Sequence, residues 1–384
     1  MSVVLVPQKY HIIFKIEYIW TIIVRTLSMK IDRILLFPYA IVLAVRNFFY
    51  DRGILKSWRP AIPSICVGNV TVGGTGKTPM VELLIRMYRD SRKVAVVSRG
   101  YGRRTKGCRT VSPGDSYRDV GDEPLQIKRK FPDITVVVDA SRRRAIDALA
   151  ALPEGERPDL VILDDAFQYR RIRPDVSILL MSASRPVFRD SLLPVGRLRD
   201  LPSQIRRADL VVVTKMEEEV TDAVRRRWRE ALGLYARIPL LFSRIAYQAP
   251  EPVFPEDADG RYVYSRSAVI FTGIADDSTF RREVGWKYTV SGSLKFADHH
   301  GYTSSDMSRV ASMAGRYPTA MILTTEKDAQ RIVSLERVPD IVRSRLFYIP
   351  IVSEIIPEED YSRRYIEEEL PGVGLMQLKN HIKI

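Results

Sequence analysis

Residues 68–80 read GNVTVGGTGKTPM, and no other stretch of this 384-residue chain limits its fold so tightly. The strict phosphate-loop pattern G-x-x-x-x-G-K-[ST] fails at its first position, where counting back from Gly76 lands on Thr71. The physical requirement is met all the same. A phosphate cradle needs backbone N–H groups facing one point, a lysine at the end of the loop and a hydroxyl for Mg²⁺. Gly73, Gly74, Thr75, Gly76, Lys77 and Thr78 supply these and make the segment a candidate ATP site. The apolar run Ile62–Val67 predicts a strand entering the loop, and Met80–Tyr88 predicts a helix leaving it, whose N-terminus favours anions. A Gly-rich turn ahead of an ordinary helix is the plainer alternative. Two glycines beside a Lys-Thr pair at a strand-to-helix junction favour the nucleotide loop.

From residue 61 onward, short apolar runs recur at 93–102, 134–140, 160–168, 176–183 and 210–215, separated by helical stretches. Near-continuous apolar runs of this kind predict a parallel sheet covered on both faces, the α/β core of a P-loop NTPase. A Pro- and acid-rich segment at 247–260 then marks a boundary. After it come runs at 268–274, 319–331 and 346–352, which predict a smaller C-terminal α/β lobe. The expected organisation is residues 1–60 as a membrane-associated region, 61–250 as the kinase-like core, and 251–384 as linker and second lobe.

The net charge of +14 is uneven: residues 1–60 carry nine Lys/Arg against three acids. Within them LLFPYAIVLAV (35–45) lies between Arg33 and Arg46. Extended by Ile34 it gives about 18 Å of helix, against about 30 Å for a bilayer core, so it is predicted to lie in one leaflet rather than to span. Each basic flank adds about 1 kcal/mol toward anionic lipid. A buried core helix is the competing reading. Further upstream, 12–24 is apolar but interrupted by Lys15 and Glu17; it reads either as a second interfacial helix or as sequence ahead of a true start at Met29. Cys66 and Cys108 fit no metal or disulfide pattern, which suits a reducing compartment.

An acid ending a buried strand is the usual second Mg²⁺ ligand, and LVILDD offers Asp164 with Asp165 behind it; Asp139 in VVVDA competes for the same role, although a single carboxylate at a strand end is often only a cap for the next helix. Asp122 and Glu123 precede Pro124 at a helix start. They read either as capping residues or as paired carboxylates that orient a hydroxyl nucleophile and hold Mg²⁺ water. His299 and His300, in KFADHHGY, are candidates for acid/base assistance. The run Arg142–Arg144 reads as a solvated helix face or a phosphate contact. The loop LLPVGRLRDLP (192–202) places Arg197 and Arg199 on a stiff cationic hook suited to a phosphate.

Taken in order, GNVTVGGTGKTP, SRGYGR, VGDEPLQ, LDDAFQ, LPVGRLRD, FADHHGY and TTEKDAQR behind a basic-flanked apolar helix resemble the tetraacyldisaccharide 4′-kinase family, over roughly residues 30 to 350. The resemblance implies transfer of the ATP γ-phosphate to the 4′-hydroxyl of a lipid A disaccharide 1-phosphate precursor, at the cytoplasmic face of a bacterial inner membrane. It further implies that Asp122 is the catalytic acid/base residue paired with His299. Thr78, Glu123, Asp164 and Asp165 take the Mg²⁺ and water shell, Gln168 is a nearby polar contact, and Lys77 and Arg199 face phosphate. In that family the loop itself reads G-N-x-x-x-G-G-T-G-K-T, so Thr71 is no departure, whereas the N-terminus is about 28 residues longer than the family suggests. Two rivals remain. A P-loop GTPase of metallochaperone type would read guanine through VVVTKMEE, although Glu217 stands where an aspartate is wanted. A nucleic-acid-dependent ATPase is suggested by the pI of 9.7, but no aromatic-interleaved basic module accompanies it, so no nucleic acid partner is expected.

Overall fold

The computed structural model describes residues 32–357, so the stretch at 12–24 and the alternative start at Met29 lie outside the described residues. Two mixed sheets organise the chain. The centre of the larger is built from β1 (Ser64–Gly68), β2 (Val94–Ser98) and β5 (Leu160–Asp164), in which every residue is buried. Parallel neighbours β4 (Thr135–Val138), β6 (Val176–Ser182), β7 (Leu210–Thr214) and β8 (Leu240–Tyr247) extend it, and antiparallel strands close it: β3 (Arg109–Thr110) on β4, β14 (Ile351–Ile355) on β8. The resulting nine-stranded order is β14-β8-β7-β6-β1-β5-β2-β4-β3. Separate apolar clusters cover the two faces, which is why these strands read as unbroken hydrophobic runs.

In the second sheet, strands β10 (Ser267–Thr272), β11 (Thr289–Lys295), β12 (Met321–Thr325) and β13 (Leu346–Ile349) are parallel, with the two-residue β9 (Glu251–Pro252) antiparallel at one edge. Their order is β11-β10-β12-β13-β9. The run 346–352, which reads from sequence as one strand, is two: it breaks at Pro350, and its second half crosses to the large sheet as β14. Proline lacks the N–H that a continuing ladder would use, so the chain changes sheets there.

The N-terminal helix runs Asp32–Asp51, well past the apolar run that predicts it. Polar contacts carry it onward. Asn47 Nδ2 donates to Asp200 at 2.8 Å, Arg170 donates to the Asn47 carbonyl at 3.0 Å, and Asp51 pairs with both Arg170 and Arg206. Leu43 and Asn47 face the protein, while Phe37, Tyr39, Ile41, Val42, Val45, Phe48 and Phe49 stay exposed. The core-helix reading is therefore not what the described residues show. Among them no helix is long and apolar enough to cross a membrane.

Two helices lie side by side between the sheets: Asp122–Lys130 and Glu326–Ile332. Lys130 Nζ sits 2.7 Å from Glu82 Oε2 and 2.8 Å from Glu326 Oε1, tying the helix Lys77–Tyr88 to the second sheet, while Arg129 Nη1 donates to Gln330 Oε1 at 2.9 Å. Glu82 is fully buried and Glu326 nearly so. Removing one member of such a group leaves uncompensated buried charge, which typically costs about 3–5 kcal/mol. Lys130→Met should accordingly destabilise the protein by about 3 kcal/mol in urea unfolding, and Glu82→Gln combined with Glu326→Gln should recover most of the loss. A Lys130→Met protein as stable as the parent would show that Arg86, 3.3 Å from Glu82, suffices.

Candidate active site

Strand β1 ends at Gly68, where a Cβ would fall 2.5 Å from Phe167 Cβ, so only glycine lets the β1 end pass the chain leaving β5. The loop that follows closes with Gly76 at φ 81°, a left-handed cap without a side chain that leaves the first N–H groups of helix Lys77–Tyr88 open to an anion. Two threonine hydroxyls brace it: Asn69 Nδ2 lies 2.6 Å from Thr75 Oγ1, and Thr214 Oγ1 donates to the Thr75 carbonyl at 2.8 Å. The cationic loop is fastened to the same segment through its backbone, Val72 N to Arg197 O at 2.8 Å and Arg199 N to Val70 O at 2.7 Å. Arg199 Nη1 and Nη2 reach Asp165 at 3.1 and 2.8 Å, and Nη2 also bonds Asn69 Oδ1.

Parallel pairing puts Asp164 opposite Val67, so this acid meets the phosphate loop at the carboxyl ends of the strands, where open α/β sheets bind ligands. Ser98, ending β2, donates to Asp164 Oδ2 at 2.9 Å, while the buried Oδ1 has no hydrogen-bond partner. Burial, with the Glu123 and Asp165 carboxylates nearby, pushes Asp164 up to about 7. Lys77 Nζ lies 3.9 Å from Asp165 Oδ2. For Asp165, burial opposes ionisation, but the Arg199 hydrogen bonds and the Lys77 charge hold it below the usual carboxylate range.

From the other lobe come His299, Lys327 and Arg331. Lys327 Nζ pairs with Glu123 Oε1 at 2.6 Å and is the main reason that carboxyl stays below its ordinary value. Asp122 Oδ2 receives Arg331 Nε at 3.0 Å and lies 3.3 Å from His299 Nδ1. Burial works against the Asp122 charge, yet the His299 and Arg331 contacts hold it well below the carboxylate range, and the Asp122 contact in turn raises His299. The site is thus a cleft between the strand ends of two sheets, with phosphate-binding groups, paired carboxylates and a histidine on facing walls.

The structure places the site residues read from the sequence around this cleft and narrows several alternatives. Asp122 is the first residue of its helix, not its cap: Gly121 takes the cap position with no side-chain bond, which frees the Asp122 carboxylate for the other lobe. Asp139 is occupied locally, accepting from Ser141 N at 2.8 Å and gripping Arg144. His300 is stacked on Phe296 and bonded to Asp306 at 3.0 Å, which leaves His299 as the histidine facing Asp122. Arg142 is buried against Tyr169 rather than solvated, whereas Arg143 keeps the exposed position. Gln168 reaches back to the Asn69 carbonyl. Ser98, Asn69, Thr214, Lys327 and Arg331 are not singled out individually by the sequence; the last two sit inside TTEKDAQR, and their charge at helical spacing after a buried strand is the available signal.

Residues 32–370 match the family model of LpxK, described as tetraacyldisaccharide-1-P 4′-kinase. The chain belongs to this family. It is 43% identical over 322 residues to a tetraacyldisaccharide 4′-kinase of Parabacteroides distasonis, covering 82% of this chain and 87% of that one. To the corresponding protein of Porphyromonas gingivalis strain W83 it is 38% identical over 328 residues, 84% of this chain and 91% of that one. A crystal structure of LpxK from Aquifex aeolicus in complex with ATP superposes with a TM-score of 0.65 at 28% identity, over 84% of this chain and 95% of that chain. The family's activity is ATP-dependent phosphorylation of a lipid A precursor, and the GTPase reading falls with it. Glu217, at the position where that reading wanted an aspartate, pairs with Arg282 on the surface.

Asp164 supplies a stability test. Its ordinary carboxyl value is near 4, so the folded chain holds a proton there that the unfolded chain releases as pH rises from about 4 to about 7. Stability is therefore lost over that window. Asp164→Asn should raise the melting temperature of the metal-free protein, and by more at pH 8 than at pH 5. An equal shift at both pH values, or a fall at pH 8, would contradict the environment described.

Proposed function

We propose that Asp122 and the P-loop together transfer the γ-phosphate of ATP to the 4′-hydroxyl of a lipid A disaccharide 1-phosphate at the cytoplasmic face of the inner membrane. What carries the reading is Asp122: a carboxylate kept ionised on one wall, beside His299, opposite a loop built for polyphosphate. The new bond forms between the acceptor oxygen and Pγ while the bond from Pγ to the bridging oxygen breaks. ADP leaves, and the hydroxyl proton passes to Asp122. A carboxyl this acidic is adequate, because phosphoryl transfer proceeds through a loose transition state that asks for orientation and charge stabilisation rather than a strong base. Lys77 faces the β- and γ-phosphates, and Arg199, held by Asp165 and Asn69, steadies the transferred group.

Mg²⁺ suits this donor set. Among the described residues no three acid, imidazole or thiolate groups converge as a self-sufficient metal cage. Mg²⁺ rarely uses one; it is commonly held by one or two carboxylates, water and substrate phosphates. The unpartnered Oδ1 of Asp164 and the buried Thr78 hydroxyl fit direct ligation, with Glu123 and Asp165, both already paired with cations, fitting the water shell. When bound, the ion would neutralise charge on the β- and γ-oxygens.

The exposed apolar residues of helix Asp32–Asp51, with Ile54 and Leu55 beyond it, support an interfacial seat on an anionic membrane and so residues 1–60 as the membrane-facing region. The division of the rest at 250/251 needs one amendment: the kinase core is 61–250 together with the returning strand β14, and the second lobe ends at Pro350.

Incubating the protein with ATP, Mg²⁺ and a disaccharide 1-phosphate lipid in detergent should add one phosphate by mass spectrometry, and GTP should be the poorer donor. Lys77→Ala should lower turnover at least about 10²-fold, and Asp122→Asn about 10²- to 10⁴-fold in kcat with little change in the KM for ATP. Near-parental turnover in Lys77→Ala would remove the P-loop from the chemistry; the same result in Asp122→Asn would remove the base. Replacing both Phe48 and Phe49 by aspartate should cut recovery with anionic vesicles and raise the KM for lipid while sparing ATP binding. Unchanged recovery would assign that face to something other than lipid.

A further inference from the structure

Arg331 heads the fully buried large side chains of the protein, yet it is a cation, and a buried cation needs partners rather than packing. All three guanidinium nitrogens have partners. Nη1 donates to the Gly273 carbonyl at 3.2 Å and to Asp328 Oδ1 at 3.3 Å; Nε donates to Asp122 Oδ2 at 3.0 Å; Nη2 donates to that same oxygen and lies 3.1 Å from His299 Nδ1. The two Nη1 bonds fix the guanidinium within its own lobe. Asp328 is itself fully buried and held by Gly273 N at 3.0 Å and by Thr325 Oγ1 at 2.7 Å. The other three donors point toward the cleft.

This leaves the Asp122 carboxylate asymmetric. Oδ2 takes two donors from Arg331 and the His299 contact, whereas Oδ1 has no hydrogen-bond partner among the described residues. A guanidinium never gives up its protons, so it cannot itself accept one from a substrate hydroxyl. What it can do is fix the rotation of the carboxyl group. His299 Nδ1 lies within reach of both Arg331 Nη2 and Asp122 Oδ2 and can serve only one of them at a time. Of the three groups, Arg331 is therefore the one whose position is set independently, by its own lobe.

We propose that Arg331 is a positioning residue of the phosphoryl transfer: it grips Asp122 by Oδ2 from the opposite lobe, so that Oδ1 alone is presented to the acceptor hydroxyl. The proposal rests on the reading of Asp122 as the acid/base residue. It also makes the second lobe a part of the catalytic geometry rather than a lid over it, since a fork of donors 209 residues away in sequence sets the angle of the base. A lysine at 331 keeps the positive charge between Asp122 and Asp328 but has no planar fork, so charge and orientation are separable.

The test compares Arg331→Lys, Arg331→Ala and Asp122→Asn, each with ATP, Mg²⁺ and the disaccharide 1-phosphate lipid. Arg331→Ala should lower kcat about 10²-fold, the scale of a misplacement near 1 Å, with the KM for ATP within about twofold of the parent. Arg331→Lys should also lose most of kcat despite its charge, and added guanidinium should restore part of the activity of Arg331→Ala but not of Arg331→Lys. In the double variant Asp122→Asn with Arg331→Ala, the losses should not multiply, because both act on one carboxyl. If the alanine protein does not fold, the lysine variant and its double with Asp122→Asn decide. Parental kcat in Arg331→Lys, or losses that multiply, would overturn the positioning role and leave Arg331 as lobe-joining structure. Full activity in Asp122→Asn would instead overturn the underlying reading, whatever Arg331 does.

Discussion

Carboxylates taken out of water must find cations, and for three acids of this cleft the cation is on the other lobe. Along two facing helices, Asp122 meets Arg331, Glu123 meets Lys327, and Lys130 meets Glu326. Each pair crosses from the first sheet's wall to the second's. The same contacts that join the lobes therefore set the charge state of the groups facing the phosphate loop. Were the second lobe's helix apolar, Asp122 and Glu123 would lose the Arg331 and Lys327 charges that help hold both below the carboxylate range against burial. Joining and tuning are here one interaction.

Parallel strands make the arrangement possible. In the large sheet β1, β2 and β5 finish side by side, which delivers the phosphate loop, Ser98 and Asp164 to one edge. The small sheet repeats the device: β10 leads into Gly273, the turn after β11 carries His299, and β12 runs directly into the helix bearing Lys327 and Arg331. Two sets of strand carboxyl ends facing one another give a cleft with functional groups on both walls, at positions as far apart in sequence as 77 and 331.

The strands and the P-loop are legible in the sequence because their signals are local: unbroken apolar runs, then glycines beside Lys-Thr. The pairing of Asp122 with His299 is reached only through resemblance, since 177 residues separate them and no periodicity links the two. Arg331 and Lys327 escape individual notice for a related reason. A basic residue on a short helix usually reads as solvated, and nothing local reveals that a second helix brings acids against it. The N-terminal helix outruns its own signal because the unbroken apolar run stops at Val45, while the helix continues to Asp51, where it is held by ion pairs whose partners, Arg170 and Arg206, lie far along the chain. The crossing at Pro350 has a signal, the proline itself, but not one that names the sheet to which the chain goes.

Asp122 and Asp164 show how one cleft gives two aspartates opposite electrostatic settings. Asp164 is buried and Asp122 partly so, and burial alone would raise both. Asp122 is met by a guanidinium and a histidine and ends far below the usual carboxylate range; Asp164 is met by a serine hydroxyl and two further carboxylates and is pushed up to about 7. A group already stabilised as an anion has little to gain from a second cation, and stays ionised to accept a hydrogen bond from a substrate hydroxyl. A group whose charge is opposed by its neighbours gains most when a cation arrives. The direction of each shift thus fits the proposed roles, acid/base for Asp122 and metal ligand for Asp164, and the difference is made by what surrounds each carboxyl group rather than by the carboxyl groups themselves.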